Sequence, residues 1–248
     1  MYSLTKLIRN FNFGAFNMSD EWAKRQEDND MKLHLQSLLN NAESDGNPLR
    51  WFEDLYDSAD GDSSQIPWAR MEVNPILKDE LEREYLEPGR ALMVGCGLGD
   101  DAIFLEQLGW KVVAFDLSPS CINWCKERFG TSSVIWEVAD VTQPPEEWLG
   151  EFDLVVEIHI LQAIQIEARI EAAKVLPKFL RPNGRIISIG RELTSRVVEI
   201  SPPPWPLARA WLMEQFSSLE KVLFQPIILN DWPDIDRYIG VWKRPKEK

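Results

Sequence analysis

The sequence predicts an α/β fold. It reads as a Rossmann-like doubly wound sheet of seven strands, mostly parallel, with a C-terminal antiparallel hairpin and an N-terminal helical lid. Three observations carry that prediction. Between Arg90 and Gly190, short apolar runs of strand length alternate with runs of helical character, the pattern of parallel strands joined by right-handed crossovers. The first apolar run passes directly into a glycine-rich turn, MVGCGLGDDA at 93–102. The last two strand-like runs, KVLFQPIIL and DRYIGVWKR, are separated only by NDWPDI. That gap cannot hold a crossover helix, so these two strands pair antiparallel.

Each element follows in chain order. Residues 1–44 read as an arm and a surface helix, the helix falling in the charged stretch 20–43. Residues 1–17 are expected to be a disordered arm, or sequence upstream of a start at Met18. Residues 45–89 read as the lid and a helix leading into the core. They hold WFEDLY, an acidic turn-rich loop at 57–65, and a helix over 74–86. Asn74 caps that helix and Pro75 occupies its first turn, where a missing N–H is harmless.

Residues 90–248 read as the core domain. ALMV is a strand, and DAIFLEQLG a helix stopped by Gly109. KVVAFD is a second strand, and CINWCKERFG a helix stopped by Gly130. SVIWEV and FDLVVEI are the third and fourth strands. EARIEAAKVLPKFL is a helix bent near Pro177, and GRIISIG the fifth strand. LARAWLMEQF is a last helix before the hairpin.

Composition narrows the function. The 248 residues carry a formal net charge of −13, which opposes binding to nucleic acid or anionic lipid. No apolar run approaches the roughly 18 residues of a membrane helix, and the N-terminal stretch makes a poor secretory signal. A cytoplasmic protein acting on a small molecule is expected, with no nucleic-acid or membrane partner and with oligomeric state open, a monomer included. Three cysteines, Cys96, Cys121 and Cys125, are an odd count and read as packed thiols rather than a disulfide framework. With two histidines and no C-x-x-C or H-E-x-x-H pattern, no metal site is expected.

In an open α/β sheet, ligands bind beyond the carboxyl ends of the strands at the topological switch point. Gly95, Gly97 and Gly99 lie there and let backbone approach a ligand closely. Asp116 ends the second strand, one βαβ step later, where a carboxylate accepts ribose hydroxyls. Asp140 follows the third strand and suits an adenine amino group. The neighbouring Leu117 and Val141 complete the cofactor site. Asp100 and Asp101 open the helix after the glycines, where a pyrophosphate would be unwelcome. A ligand with a cation and no phosphate, S-adenosyl-L-methionine, fits better.

These residues resemble a class I S-adenosylmethionine-dependent methyltransferase over about residues 45–245, from MVGCGLGDDA through Asp116, Asp140, FDLVVEIHIL and LRPNGRIISIG. WFEDLY, Pro67–Trp68, GWKVVAFDLSPS and SPPPWPL resemble, more narrowly, the thiopurine and halide/thiocyanate methyltransferase group. The chain departs from the halide/thiocyanate pattern after Glu157, where IHILQAI stands. The resemblance implies that Trp68 and its segment cover the cofactor and help close the substrate pocket. It places Glu157 and His159 at the catalytic position. There Glu157 would orient the cofactor or substrate, and His159 would be a base or a pocket wall. The expected acceptor is a thiol, a halide-like ion or another small nucleophile. Two alternatives stay open, a non-catalytic S-adenosylmethionine-binding protein and a nicotinamide-dependent oxidoreductase. The latter's Tyr-x-x-x-Lys pair occurs only at Tyr2–Lys6.

Overall fold

The central strand of the fold is ALMV, and its neighbours set the position of everything else. The computed structural model describes residues 29–197, 203–229 and 232–246. Strand β1 (Arg90–Val94) pairs in parallel with β2 (Lys111–Asp116) on one side and β4 (Phe152–Ile158) on the other. Beyond them lie β3 (Ile135–Val138), β5 (Leu180–Arg191), β6 (Glu220–Leu229) and β7 (Trp232–Lys243). The sheet order is β3-β2-β1-β4-β5-β7-β6, and β7 runs antiparallel to both β5 and β6.

Both faces of the sheet are covered, which is why the inner strands are continuously apolar rather than alternating. Ala91 and Met93 pack with Ile76, Leu77, Trp110 and Trp136 on one face. Leu92 and Val94 pack with Phe115, Trp148, Val155 and Phe179 on the other. The chain leaves β1 for β2 and returns to β4 on the opposite side. The crevice therefore opens at the carboxyl ends of β1 and β4.

Helices α1 (Asn29–Ser44) and α2 (Trp51–Ala59) precede α3 (Pro75–Arg83). The core then supplies α4 (Asp100–Gln107), α5 (Pro119–Arg128), the short α6 (Ile160–Ala163), α7 (Ile166–Val175) and α8 (Arg209–Gln215). The bend expected near Pro177 is a change from α7 to a tighter turn over Leu176–Phe179. The seven strands, the hairpin and the core helices agree with the sequence reading, and the cysteines are free and buried.

Three expectations shift. WFEDLY is helical, and α2 runs into the stretch read as the 57–65 loop before Asp60 turns left-handed at φ 44°. Its apolar residues at 51, 52, 55, 56 and 59 have helical spacing. Trp51, Leu55 and Tyr56 are core residues with Ile66, Leu98 and Cys121. The surface helix begins no earlier than Asn29 among the described residues, and residues 1–17 lie outside them. The hairpin is tighter than expected: β7 starts at Trp232, facing Leu229, because the Pro and Asp of NDWPDI, poor strand formers, hid its first turns.

The cap on α3 is present as read: the Asn74 side chain accepts from the backbone N–H of Ile76 at 2.9 Å. Asn74→Ala is expected to cost about 1 kcal/mol of stability, measurable as a lower urea midpoint. An unchanged midpoint would show that the packing of Ile76, Leu77 and Leu81 against the core holds α3 without its cap.

Candidate active site

The turn after β1 is wound left-handed at all three glycines, with φ of 58°, 51° and 91° at Gly95, Gly97 and Gly99. At Gly95 and Gly99 side chains are excluded as well as strained. A Cβ on Gly95 would lie 2.2 Å from Ile160, and one on Gly99 2.7 Å from Trp136. The turn is held from below by its own ligands. The Gly97 N–H donates to Asp116 at 3.1 Å. The Gly97 carbonyl accepts the thiols of Cys121 and Cys125 at 2.9 and 3.0 Å. Burial pushes the Cys96 and Cys121 thiols up, so both stay protonated, apolar packers.

The turn floors a cavity of about 450 Å³. Gly95, Gly97, Gly99, Asp116, Leu117, Asp140, Val141, Trp68 and His159 all line it. Asp116 accepts from the N–H groups of Gly97 and Ser118, both at 3.1 Å. Burial raises its pKa to about 6. Each oxygen keeps a lone pair for a ligand hydroxyl. Asp140 bonds Thr142 through Oδ1 alone, at 2.7 Å to both the amide and the hydroxyl, leaving Oδ2 for the cavity.

The roof comes from the segment before the core. Trp51, Phe52, Tyr56 and Trp68 line the cavity opposite the glycines. The Trp68 indole donates to the Tyr56 hydroxyl at 2.7 Å, and that hydroxyl lies 3.5 Å from where a Gly97 Cβ would stand. Glu53 ties α2 to the start of α5, accepting from the hydroxyls of Ser118 and Ser120 at 2.5 and 2.7 Å. Asp100 and Asp101, which also line the cavity, are engaged within the protein. Asp100 pairs with Arg128 at 2.9 Å, and Asp101 accepts the Asn74 N–H at 2.6 Å.

Glu157 is not where the reading of a catalytic, cofactor-binding carboxylate requires. Its side chain is 1% exposed. It accepts the N–H groups of Ile160 and Leu161 at 3.1 and 3.4 Å and the hydroxyl of Ser188. These bonds turn it under α6 and out of the cavity wall. It positions the loop that carries His159.

His159 reaches the cavity on a left-handed backbone, φ 63°. The Gln162 amide clamps the Arg191 backbone, donating at 2.6 Å and accepting at 2.7 Å. That orients its oxygen toward His159 Nδ1 at 2.9 Å, so Nδ1 donates and Nε2 holds the lone pair. Burial, with help from Arg191, Arg237 and Arg70, pushes the imidazole down to about 3. At neutral pH it is an uncharged acceptor.

The sequence reading missed those three arginines, all of which line the cavity. The signal was present. Arg191 and Arg237 sit at the margins of otherwise apolar strand runs, where a charge needs a reason to be tolerated. The described residues contain no cluster of three His, Cys, Asp or Glu placed to hold a metal.

With this geometry in hand, the chain can be compared with known proteins. Residues 91–184 match a family model described as a methyltransferase domain. "Thiocyanate methyltransferase 1" of Arabidopsis thaliana is 29% identical over 133 residues, 53% of this chain and 59% of that protein. "Probable thiol methyltransferase 2" of the same plant is 26% identical over 134 residues, 52% of this chain and 58% of that protein. The chain thus spans under two thirds of the length of these relatives. A solved glycopeptide N-methyltransferase, MtfA, complexed with S-adenosylmethionine, superposes with a TM-score of 0.58 over 70% of this chain and 95% of that one at 14% identity, a likeness of fold. Over residues 91–184 the chain is thus similar to methyltransferase domains, and its fold to that of an S-adenosylmethionine-dependent methyltransferase. Within that class, the sequence likeness runs to thiocyanate and thiol methyltransferases.

The site fits that cofactor on its own evidence. The cradle excludes side chains at Gly95 and Gly99, Asp116 ends β2, and Asp140 lies just beyond the end of β3. The Trp51 indole N–H is buried with no hydrogen-bond partner among the described residues.

Burial holds the Glu157 carboxyl at about 7, against an ordinary 4.5. A group whose folded pKa is raised favours the fold at low pH and loses that contribution as pH rises through the folded value. At 1.36 kcal/mol per unit, wild type should lose about 3 kcal/mol between pH 4.5 and 7.5 relative to Glu157→Gln, which stays neutral. Urea unfolding of both proteins across that range measures it, and parallel curves would refute the assignment.

Proposed function

We propose that this chain is an enzyme that transfers a methyl group from S-adenosylmethionine to a small-molecule nucleophile. The observation that carries this is the cavity, with the left-handed glycine turn and Asp116 and Asp140 below and Trp51, Tyr56 and Trp68 above. Residues 45–89 serve as the lid of the core formed by 90–248. The negative chain works away from nucleic acid and membrane surfaces, as a cytoplasmic protein for which a monomer suffices. No helix among the described residues is long and apolar enough to cross a membrane.

When bound, S-adenosylmethionine supplies a methyl on a sulfonium, whose carbon–sulfur electron pair stays on sulfur as the acceptor forms its bond to that carbon. The chain's residues bind and orient. Asp116 accepts the ribose hydroxyls, Asp140 the adenine amino group, and Leu117 and Val141 flank the base. The aromatic roof keeps water from the reacting atoms. His159, with a pKa near 3, is too weak a base to remove a proton usefully near neutrality. It orients the acceptor as a hydrogen-bond acceptor or wall. Such a site suits a nucleophile that arrives already ionised, such as a thiolate.

Calorimetry with S-adenosylhomocysteine tests the cofactor site. Asp116→Ala should weaken binding by about 1.5–3 kcal/mol, the range for hydrogen bonds to a charged group. Ribose hydroxyls favour the ionised carboxylate, so wild-type affinity should be full above about pH 6 and fall as pH drops through that value. Equal affinity of variant and wild type would remove Asp116 from the site. A turnover screen over thiols, halides, amines and phenols tests the reaction. Cofactor binding without turnover of any of them would favour a non-catalytic binding protein.

The lid should respond to ligand in part. Residues 51–59 are a packed helix and should resist hydrogen exchange with or without S-adenosylhomocysteine. Residues 60–75 have little regular structure, and Trp68 is 37% exposed, so this stretch should gain protection on binding. Equal protection of 60–75 in both states would make it a fixed wall.

A further inference from the structure

The wall of the cavity beside His159 carries two arginines side by side. Arg191 ends β5 and faces Arg237 of β7 directly across the antiparallel ladder. Like charges at facing positions repel, and water reaches the pair only in part: Arg237 is 7% exposed and Arg191 half-buried. The pairs before them on the same face, Ile189 with Ile239 and Ile187 with Val241, are apolar core.

The nearby carboxylates are engaged elsewhere. Glu192 accepts from Arg209 at 2.8 Å, and Asp236 from Arg196 at 3.0 Å. These acids sit one residue along each strand, so they point to the opposite face. Among the described residues, no Asp or Glu lies within 4.0 Å of the Arg191 or Arg237 guanidinium, and Arg237 donates only to the Ile235 carbonyl, at 3.3 Å. Arg70 of the lid, itself paired with Glu72 at 3.0 Å, adds a third positive charge. Burial, and then the fields of Arg191 and Arg70, press the Arg237 guanidinium down to about 9. A chain of net charge −13 thus concentrates positive charge on one wall of its cavity.

Buried cations are tolerated where something answers them. A guanidinium presents a planar fork that matches the two oxygens of a carboxylate, and a monatomic or linear ion cannot use it fully. We infer that the acceptor is a small organic acid whose carboxylate is held by Arg191 and Arg237, leaving its nucleophilic atom free within the cavity beside His159. This rests on the methyltransferase reading and names the substrate class.

The test is calorimetric, on full-length protein with and without S-adenosylhomocysteine. The probes are 3-mercaptopropionate, its neutral amide, thiocyanate and inorganic phosphate. The acid should bind at least about tenfold more tightly than the amide and more tightly than thiocyanate or phosphate. Arg191→Gln and Arg237→Gln should each weaken the acid about tenfold to a hundredfold while leaving the amide's affinity in place. Arg191→Lys, which keeps the charge and loses the fork, should fall between, and serves if either glutamine variant does not fold. Acid and amide binding alike, thiocyanate or phosphate binding better, or no binding of the acid at millimolar concentration would overturn the inference. A wild type that binds the acid but not S-adenosylhomocysteine would instead overturn the methyltransferase reading and leave the carboxylate site standing.

Discussion

Gly97 is bonded through both its N–H and its carbonyl, and the site depends on that. Its N–H points at Asp116, the last residue of β2, and its carbonyl gathers two thiols from α5. The turn between β1 and α4 is therefore wound against the strand and the helix that follow it. Its left-handed backbone tolerates no side chain at Gly95 or Gly99 without displacing Ile160 or Trp136. One carboxylate thus shapes the cradle and lines the cavity. Burial holds that carboxylate near 6, so the cradle and its charge are coupled.

The roof is built by the same economy. Glu53 caps nothing in its own helix and instead satisfies two serines at the start of α5. Asp101, at the start of α4, accepts an amide from the residue that caps α3. Acids near helix starts are favoured by the helix dipole, and here each also bridges two segments far apart in the chain. The aromatic residues of α2 and Trp68 then have a surface to cover, the glycine turn itself. Trp51 and Tyr56 are buried because they complete the cavity.

Much of this was legible in the sequence because it is local. The glycine turn, the Asn74 cap, the Pro177 bend and the acids at and just beyond the ends of β2 and β3 are each set by neighbours within a few residues. Glu157 shows where local reading stops. Its position at the end of β4 is right, but the left-handed turn at His159 brings the Ile160 and Leu161 amides onto its carboxylate, and Ser188 closes from β5. An acid that meets three donors turns toward them. Nothing in FDLVVEIHIL announces Ser188.

The sequence by itself determined the alternation of strands and helices, the antiparallel ending, and the class of ligand the first turn can hold. These follow from periodicity, chain stiffness and the conformational freedom of glycine, which act over short stretches. Tertiary structure alone decided which charges share the cavity. Arg191 and Arg237 are far apart in the chain and meet only through the β5–β7 register. A slip of β7 by one residue would turn Arg237 outward and leave Arg191 without its partner on the wall. The charge of the acceptor wall is therefore written in strand register, a long-range property that no local pattern encodes.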